Sequence, residues 1–215
     1  MTEQLTLFQN LPPDAADAAL EAEVDPGTGS LDELFRLTPA WRTGRDYLAL
    51  LEAPGADRTE MSRFIDAVST NETYFYRESG HFAALAATVL PVLLPRGRPV
   101  RVWCAGSSTG EEAYTLRIVC DETVRRHGGD VQITGTDINT TVVAAAREGV
   151  YRERSVRLVP PEVLRTCFES SAEGAWRVRR ELRDRVDFRV QNLLVDPAPD
   201  GSPFDVIFCR NVMIY

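Results

Sequence analysis

Apolar positions in this chain change their period near residue 100. Before it, Met61, Phe64, Ile65 and Val68 recur at steps of three and four residues, which predicts an amphipathic helix over 57–68. Leu85, Val89 and Val92 or Leu93 predict another over 82–93, ended by Pro95-Arg96-Gly97. Shorter helical pieces are expected at 31–37 and 46–51, separated by Pro39 and Gly44. From Val100 onward, short apolar runs alternate with helical patterns. Strand 100–104 leads through a turn to helix 111–126, closed by Gly128-Gly129. Strand 131–136 and helix 140–148 follow, and later runs at 187–190 and 204–209 read as further strands. This order predicts an α/β fold with a parallel sheet and right-handed crossovers.

Residues 149–187 break that alternation and are too long for an ordinary connection, so they read as an inserted subdomain of about 151–185. It would hold a helical piece at 162–167 and short strands at 176–178 and 185–186. Residues 1–30 are rich in Ala, Asp, Glu, Pro and Gly and read as a disordered acidic tail, with one short helix over 15–23. The expected organisation is thus a tail (1–30), a helical region (31–95) and a sheet domain (96–215).

Composition narrows this picture. The chain has 215 residues, 44% of them hydrophobic, enough for one α/β domain and a small addition. Its longest apolar runs, such as 89–94, fall far short of a membrane span, and its N-terminus lacks a signal-peptide pattern, so no membrane insertion and a cytoplasmic location are expected. A net charge of -8 argues against a nucleic-acid partner. The charge is uneven: residues 1–33 carry eight acids and no base, whereas 151–190 carry ten arginines against seven acids. That basic stretch is either a solvated face or a docking surface for an acidic partner. Cys104, Cys120, Cys167 and Cys209 have no paired spacing, and His81 and His127 are the only histidines, so no metal site is expected.

Candidate chemistry gathers at the turn after the first strand. Gly106 and Gly110 allow close backbone approach, and the following helix offers free N–H groups. Glu111 and Glu112 in its first turn suit the helix dipole but oppose a phosphate. A cationic, phosphate-free adenosine ligand, S-adenosylmethionine, fits better. Asp137 at the end of the second strand suits ribose hydroxyls, although a dinucleotide fold also places an acid there. Taken singly, Glu111 reads equally as a helix-start acid and Asp137 as an N-cap. Asn192 and Arg210-Asn211 each follow a strand, which brings them to the same carboxyl edge if the sheet is parallel.

Several segments, in order, resemble the CheR-type family of chemotaxis receptor glutamate O-methyltransferases. They are Asn71-Glu72-Thr73-Tyr74-Phe75-Tyr76-Arg77-Glu78, the run from Arg101 to Glu112, and Gly135-Thr136-Asp137-Ile138-Asn139. Gly149-Val150-Tyr151, Asn192-Leu193-Leu194 and the run from Phe204 to Tyr215 complete the set. The resemblance implies a Rossmann-like class I S-adenosylmethionine-dependent methyltransferase sheet. It also implies methyl transfer from that cofactor to the side-chain carboxylate of receptor glutamates. By the family pattern, Asn71, Thr73 and Arg77 close over the cofactor, Glu112 and Asp137 hold its methionine amine and ribose, and Asn192, Leu193, Arg210 and Asn211 line the adenosine side. Arg77 is expected to orient the acceptor carboxylate and Tyr215 to complete the catalytic site, with Glu111 a supporting neighbour. The implied partner is a methyl-accepting chemotaxis receptor or a similar acidic helical protein, and the insertion resembles a small β-subdomain that grips a receptor tail.

Two departures from the family shape further expectations. Residues 1–45 lack the fuller basic helical domain, and the chain ends at Tyr215, where the family continues with a helix and more strands. With strands in the order three, two, one, four, the fourth would be a bare edge. A truncated sheet of this kind is expected to need a complementary C-terminal polypeptide, or to serve as a catalytically impaired receptor- or cofactor-binding adaptor.

Overall fold

A computed structural model describes residues 49, 51, 53, 58–69, 71–171, 174–201 and 203–212. The expected tail and the helical piece at 31–37 lie outside the described residues. The chain divides into two compact units, Met1–Thr70 and Asn71–Tyr215. In the first, helix α1 (Arg58–Val68) carries the expected period, with Phe64 and Ala67 buried. Ser69 closes it: its backbone N–H and its hydroxyl both donate to the Ile65 carbonyl.

The second unit opens with a broken helical segment. Helix α2 (Gly80–Ala84) passes through a π-helical turn (Leu85–Val89) into α3 (Leu90–Leu93) and a 3₁₀ turn (Leu94–Arg96). Pro91 has no N–H to offer the Ala87 carbonyl, and the ladder slips by one residue just before it, so that Leu90 N–H donates to the Leu85 carbonyl. Gly97, at φ +74°, ends the segment. Phe82, Leu85, Leu90, Leu93 and Leu94 are buried in the same core as Val100 and Val102 of the sheet. This segment therefore belongs to the sheet's unit, and the division falls at Thr70/Asn71 rather than at 95/96.

The main sheet is parallel, in the order β6-β2-β1-β7. Its strands are β1 (Val100–Ala105), β2 (Val131–Asp137), β6 (Val186–Val190) and β7 (Val206–Cys209). Helix α4 (Glu111–His127) joins β1 to β2, and α5 (Thr140–Glu148) follows β2. Register fixes the carboxyl edge: Ala105 pairs with Thr136 and Cys209, and Asp137 with Val190. The segments leaving all four strands therefore start from one line, where the chemistry of an open α/β sheet is expected. At the other end, the Arg98 guanidinium forks onto Asp205, which also accepts the Arg101 N–H at 3.0 Å, pinning the start of β7 to β1.

The insertion forms a separate antiparallel sheet, β3-β5-β4, from β3 (Val150–Tyr151), β4 (Phe168–Ser170) and β5 (Trp176–Val178). Helices α6 (Glu153–Val156) and α7 (Pro161–Cys167) precede β4, and α8 (Arg180–Arg183) follows β5. The short strand expected at 185–186 is not a separate element: Val186 is the first residue of β6, paired with Ile133. Phe168 and Val178 are fully buried, and they join this small sheet to the main core.

Candidate active site

The turn after β1 is stapled to the end of β2. The Thr136 carbonyl accepts both Gly106 N–H and Ser107 N–H at 2.8 Å. The Asp137 carboxylate accepts Ser108 N–H at 2.8 Å on one oxygen and Asn139 N–H at 3.0 Å on the other. The N-cap of α5 is Asn139, whose side chain accepts Val142 N–H at 3.0 Å, so Asp137 is free of that duty and shapes the turn instead. Gly106 has φ +75°, and a Cβ there would lie 2.3 Å from Val212 Cγ2. Only glycine fits that approach of the turn to the segment after β7.

Residues 71–79 form a strap over this edge. Phe75 is its anchor: it is completely buried, edge-on to Tyr151 at 4.8 Å and to Phe168 at 5.1 Å between ring centroids. Phe75 N–H donates to the Ser155 carbonyl, and the Ser108 hydroxyl donates to the Asn71 carbonyl at 3.1 Å. Tyr76 N–H reaches the Thr115 hydroxyl at 3.2 Å. Among the described residues, the non-glycine positions with positive φ are Tyr76, Glu78, Ser108, Asn211 and Asp200, and the first four belong to the strap, the turn or the exit of β7. Such conformations cost energy and persist where surrounding bonds dictate them.

Glu112 is the electrostatic centre. Its Oε2 accepts Arg210 Nη1–H at 2.7 Å, and its Oε1 accepts the Cys104 thiol at 3.2 Å. Arg210 also donates to the Arg77 carbonyl at 2.7 Å and lies 3.2 Å from Glu78, so one guanidinium joins helix α4, the strap and the end of β7. Burial pushes the Glu112 carboxyl up, and Arg210 opposes that rise. Glu111 is more deeply buried and accepts the Thr109 hydroxyl at 2.6 Å; burial raises its carboxyl too. The Ser107 hydroxyl is buried next to Gly135, with no hydrogen-bond partner among the described residues.

The other expected residues are distributed as follows. Asn192 is buried, and its side-chain oxygen accepts Leu194 N–H at 2.9 Å, shaping the turn after β6. Leu193 is exposed in that turn, and Asn211 is exposed with φ +56°. Thr73 and Asn71 are half-buried in the strap. Arg77 turns its guanidinium back onto the Glu72 carbonyl at 2.7 Å and lies near the Tyr74 ring. Tyr215 lies outside the described residues. Sequence reasoning missed Cys104, Glu78, Ser108 and Phe75. All four lie inside the quoted motifs, and only their contacts across the fold distinguish them. Two grooves, of about 480 Å³ around the starts of β2 and β6 and about 620 Å³ between α4, α7 and α8, lie away from this edge.

The donor set fits the cofactor that the turn suggested. Carboxylates at Glu112 and Asp137 complement ammonium and hydroxyl groups, and the acidic first turn of α4 rejects phosphate. A parallel sheet in this order, with a glycine turn after β1 and an acid closing β2, is a Rossmann-like arrangement, and the family match makes it a class I S-adenosylmethionine-dependent methyltransferase domain. Residues 71–215 match the family described as CheR methyltransferase, SAM binding domain. The chain therefore belongs to the CheR methyltransferases, as the motifs implied. It is 39% identical over 185 residues to a chemotaxis protein methyltransferase of Vibrio parahaemolyticus, covering 84% of this chain and 65% of that protein. It is 40% identical over 172 residues to the chemotaxis protein methyltransferase of Escherichia coli K12, covering 79% and 58%. The matched part thus spans less than two thirds of the length of these relatives.

Proposed function

We propose that this chain carries the catalytic machinery for moving a methyl group from S-adenosylmethionine to glutamate side chains of a chemotaxis receptor, giving a methyl ester and S-adenosylhomocysteine. The observation that carries the reading is the Glu112–Arg210 centre at the carboxyl edge, roofed by the 71–79 strap and facing the Asp137-stapled turn. When bound, the cofactor supplies an electrophilic methyl on a sulfonium. The acceptor carboxylate is already ionised near neutral pH, so the protein needs no strong base. Its task is alignment and exclusion of water.

In this reading Glu112 holds the cofactor's ammonium and Asp137 its ribose hydroxyls, while Asn192, Leu193, Arg210 and Asn211 border the adenosine. Asn71, Thr73 and Arg77 close from the strap. The Arg77 guanidinium, now on the Glu72 carbonyl, would orient an incoming carboxylate through a charge-assisted fork. Tyr215 would complete the acceptor side.

The test is transfer of radiolabelled methyl from S-adenosylmethionine to receptor-containing membranes, read as methanol released by alkali. Base-labile label is expected with the chain as it stands, falling at least tenfold for Arg77→Ala, by the loss of a charged hydrogen bond worth ~1.5–3 kcal/mol. Equal label from both, or none from either, refutes the assignment.

A further inference from the structure

Cys104 sits one residue before the end of β1, fully buried, with its Sγ 3.2 Å from Glu112 Oε1. The opposite oxygen of the same carboxylate is taken by Arg210. The two donors differ in how they are held. Arg210 lies beyond β7 on a segment that also answers to Glu78 and the Arg77 carbonyl. Cys104 lies on the central strand, hydrogen-bonded on both sides to β2 and β7. A long side chain can exchange partners, whereas a thiol on a central strand cannot move away. Glu112 itself enters from the first turn of α4, so its rotamer is undetermined unless something beneath it fixes one oxygen.

We infer that Cys104 is a positioning residue for the cofactor site: its thiol donates to Glu112 Oε1 and holds the carboxylate in the orientation that leaves Oε2 for exchange between Arg210 and the cofactor's ammonium. The inference rests on the reading of Glu112 as the ammonium acceptor. Chemistry supports the direction of donation. Burial, and then the charge of Glu112, raise the thiol well above its ordinary range, so it stays protonated and keeps its hydrogen to give. The charged or titratable groups that act on this carboxylate and thiol are Arg210, Glu78, Asp137 and the Cys209 thiol. None of them supplies a second donor to Oε1 among the described residues.

Cys104→Ser and Cys104→Ala test this because their side chains are close in size, so both lose similar packing, but only serine keeps a donor. Calorimetric titration with S-adenosylmethionine should give near-native affinity for the serine variant and a loss of about fivefold for the alanine variant, the scale of one hydrogen bond. In parallel, carbon-13 NMR titration of the Glu112 carboxyl, without cofactor, should show it titrating higher in Cys104→Ala than in the native chain and in Cys104→Ser. Equal affinities for the two variants, or an unmoved Glu112 titration, overturn the assignment. A native chain that takes up no cofactor instead overturns the reading of the site, and the NMR titration then decides the thiol's contact with Glu112 alone.

Discussion

Replacing Phe75 by alanine should do two separable kinds of damage. The ring is 0% exposed and meets Tyr151 at an interplanar angle of 88° and Phe168 at 78°. Truncating a buried phenylalanine costs ~3–5 kcal/mol from lost transfer energy and the cavity left behind. Edge-to-face pairs add ~0.5–1.5 kcal/mol each. Two such pairs place this site toward the upper part of that range, about 4 kcal/mol if the whole domain must bear the loss. A domain of this size would then melt on the order of 10 °C lower. The strap offers another route, because its other fastenings are separate local contacts, among them Phe75 N–H to Ser155, Ser108 to Asn71, Tyr76 N–H to Thr115, Arg210 to Glu78 and the Arg77 carbonyl, Arg154 to Glu72 and Arg157 over the Tyr74 ring. If it lifts locally, the cost is capped at the free energy of that opening. The global melt would then shift less while cofactor affinity falls and the strap becomes open to proteolysis. Urea unfolding, calorimetric titration with S-adenosylmethionine and limited proteolysis separate the two routes. Phe75→Leu should recover most of the burial and lose only the ring pairs, about 1–3 kcal/mol. A Phe75→Ala protein within about 1 kcal/mol of the native chain, binding cofactor equally well, would refute the anchoring argument.

Three other outcomes follow from the same geometry. Glu112→Gln keeps the side-chain size and removes the charge, so cofactor affinity measured by titration should fall by about ten- to a hundredfold, the value of a charged hydrogen bond. Gly106→Ala forces a left-handed backbone costing ~1–2 kcal/mol and drives a Cβ against Val212, whereas Gly97→Ala, at φ +74° with open space around it, incurs only the backbone cost; comparing their denaturation midpoints isolates the collision. The Asp205 carboxyl is held down at about 2, against an ordinary 3.8, chiefly by its bond to Arg98. Its contribution is therefore complete above pH 3.8 and is lost as pH falls through about 2. Arg98 is half-exposed and solvent screens the pair, so Asp205→Asn should lower stability at pH 7 by up to ~1 kcal/mol and show no difference from the native chain below pH 2.

The α/β order and both helices around β2 were legible in the apolar pattern of the sequence, while the order of the four parallel strands was implied by the family resemblance. Apolar period and glycine stops are local properties, and right-handed crossovers leave few arrangements for them. The break in helix 80–96 was not legible: the apolar period predicted one helix over 82–93, and the π turn in which Leu90 N–H reaches back to the Leu85 carbonyl, just before Pro91, is seen only in the fold. Assigning that segment to the sheet's unit required seeing Phe82, Leu85 and Leu90 in its core.

By itself the sequence determined which residue types stand at the carboxyl edge, because strand ends and turn glycines are written locally, and its motifs assigned the family. Only the tertiary structure decided what each of those side chains touches. Glu112 and Arg210 are 98 positions apart, and Phe75 meets Tyr151 and Phe168 from distant segments. Whether a carboxylate faces a cation, a thiol or water depends on distances that no pattern along the chain encodes. The same sheet register that aligns Ala105, Thr136 and Cys209 also sets Cys104 beneath Glu112, turning a small strand residue into part of the site.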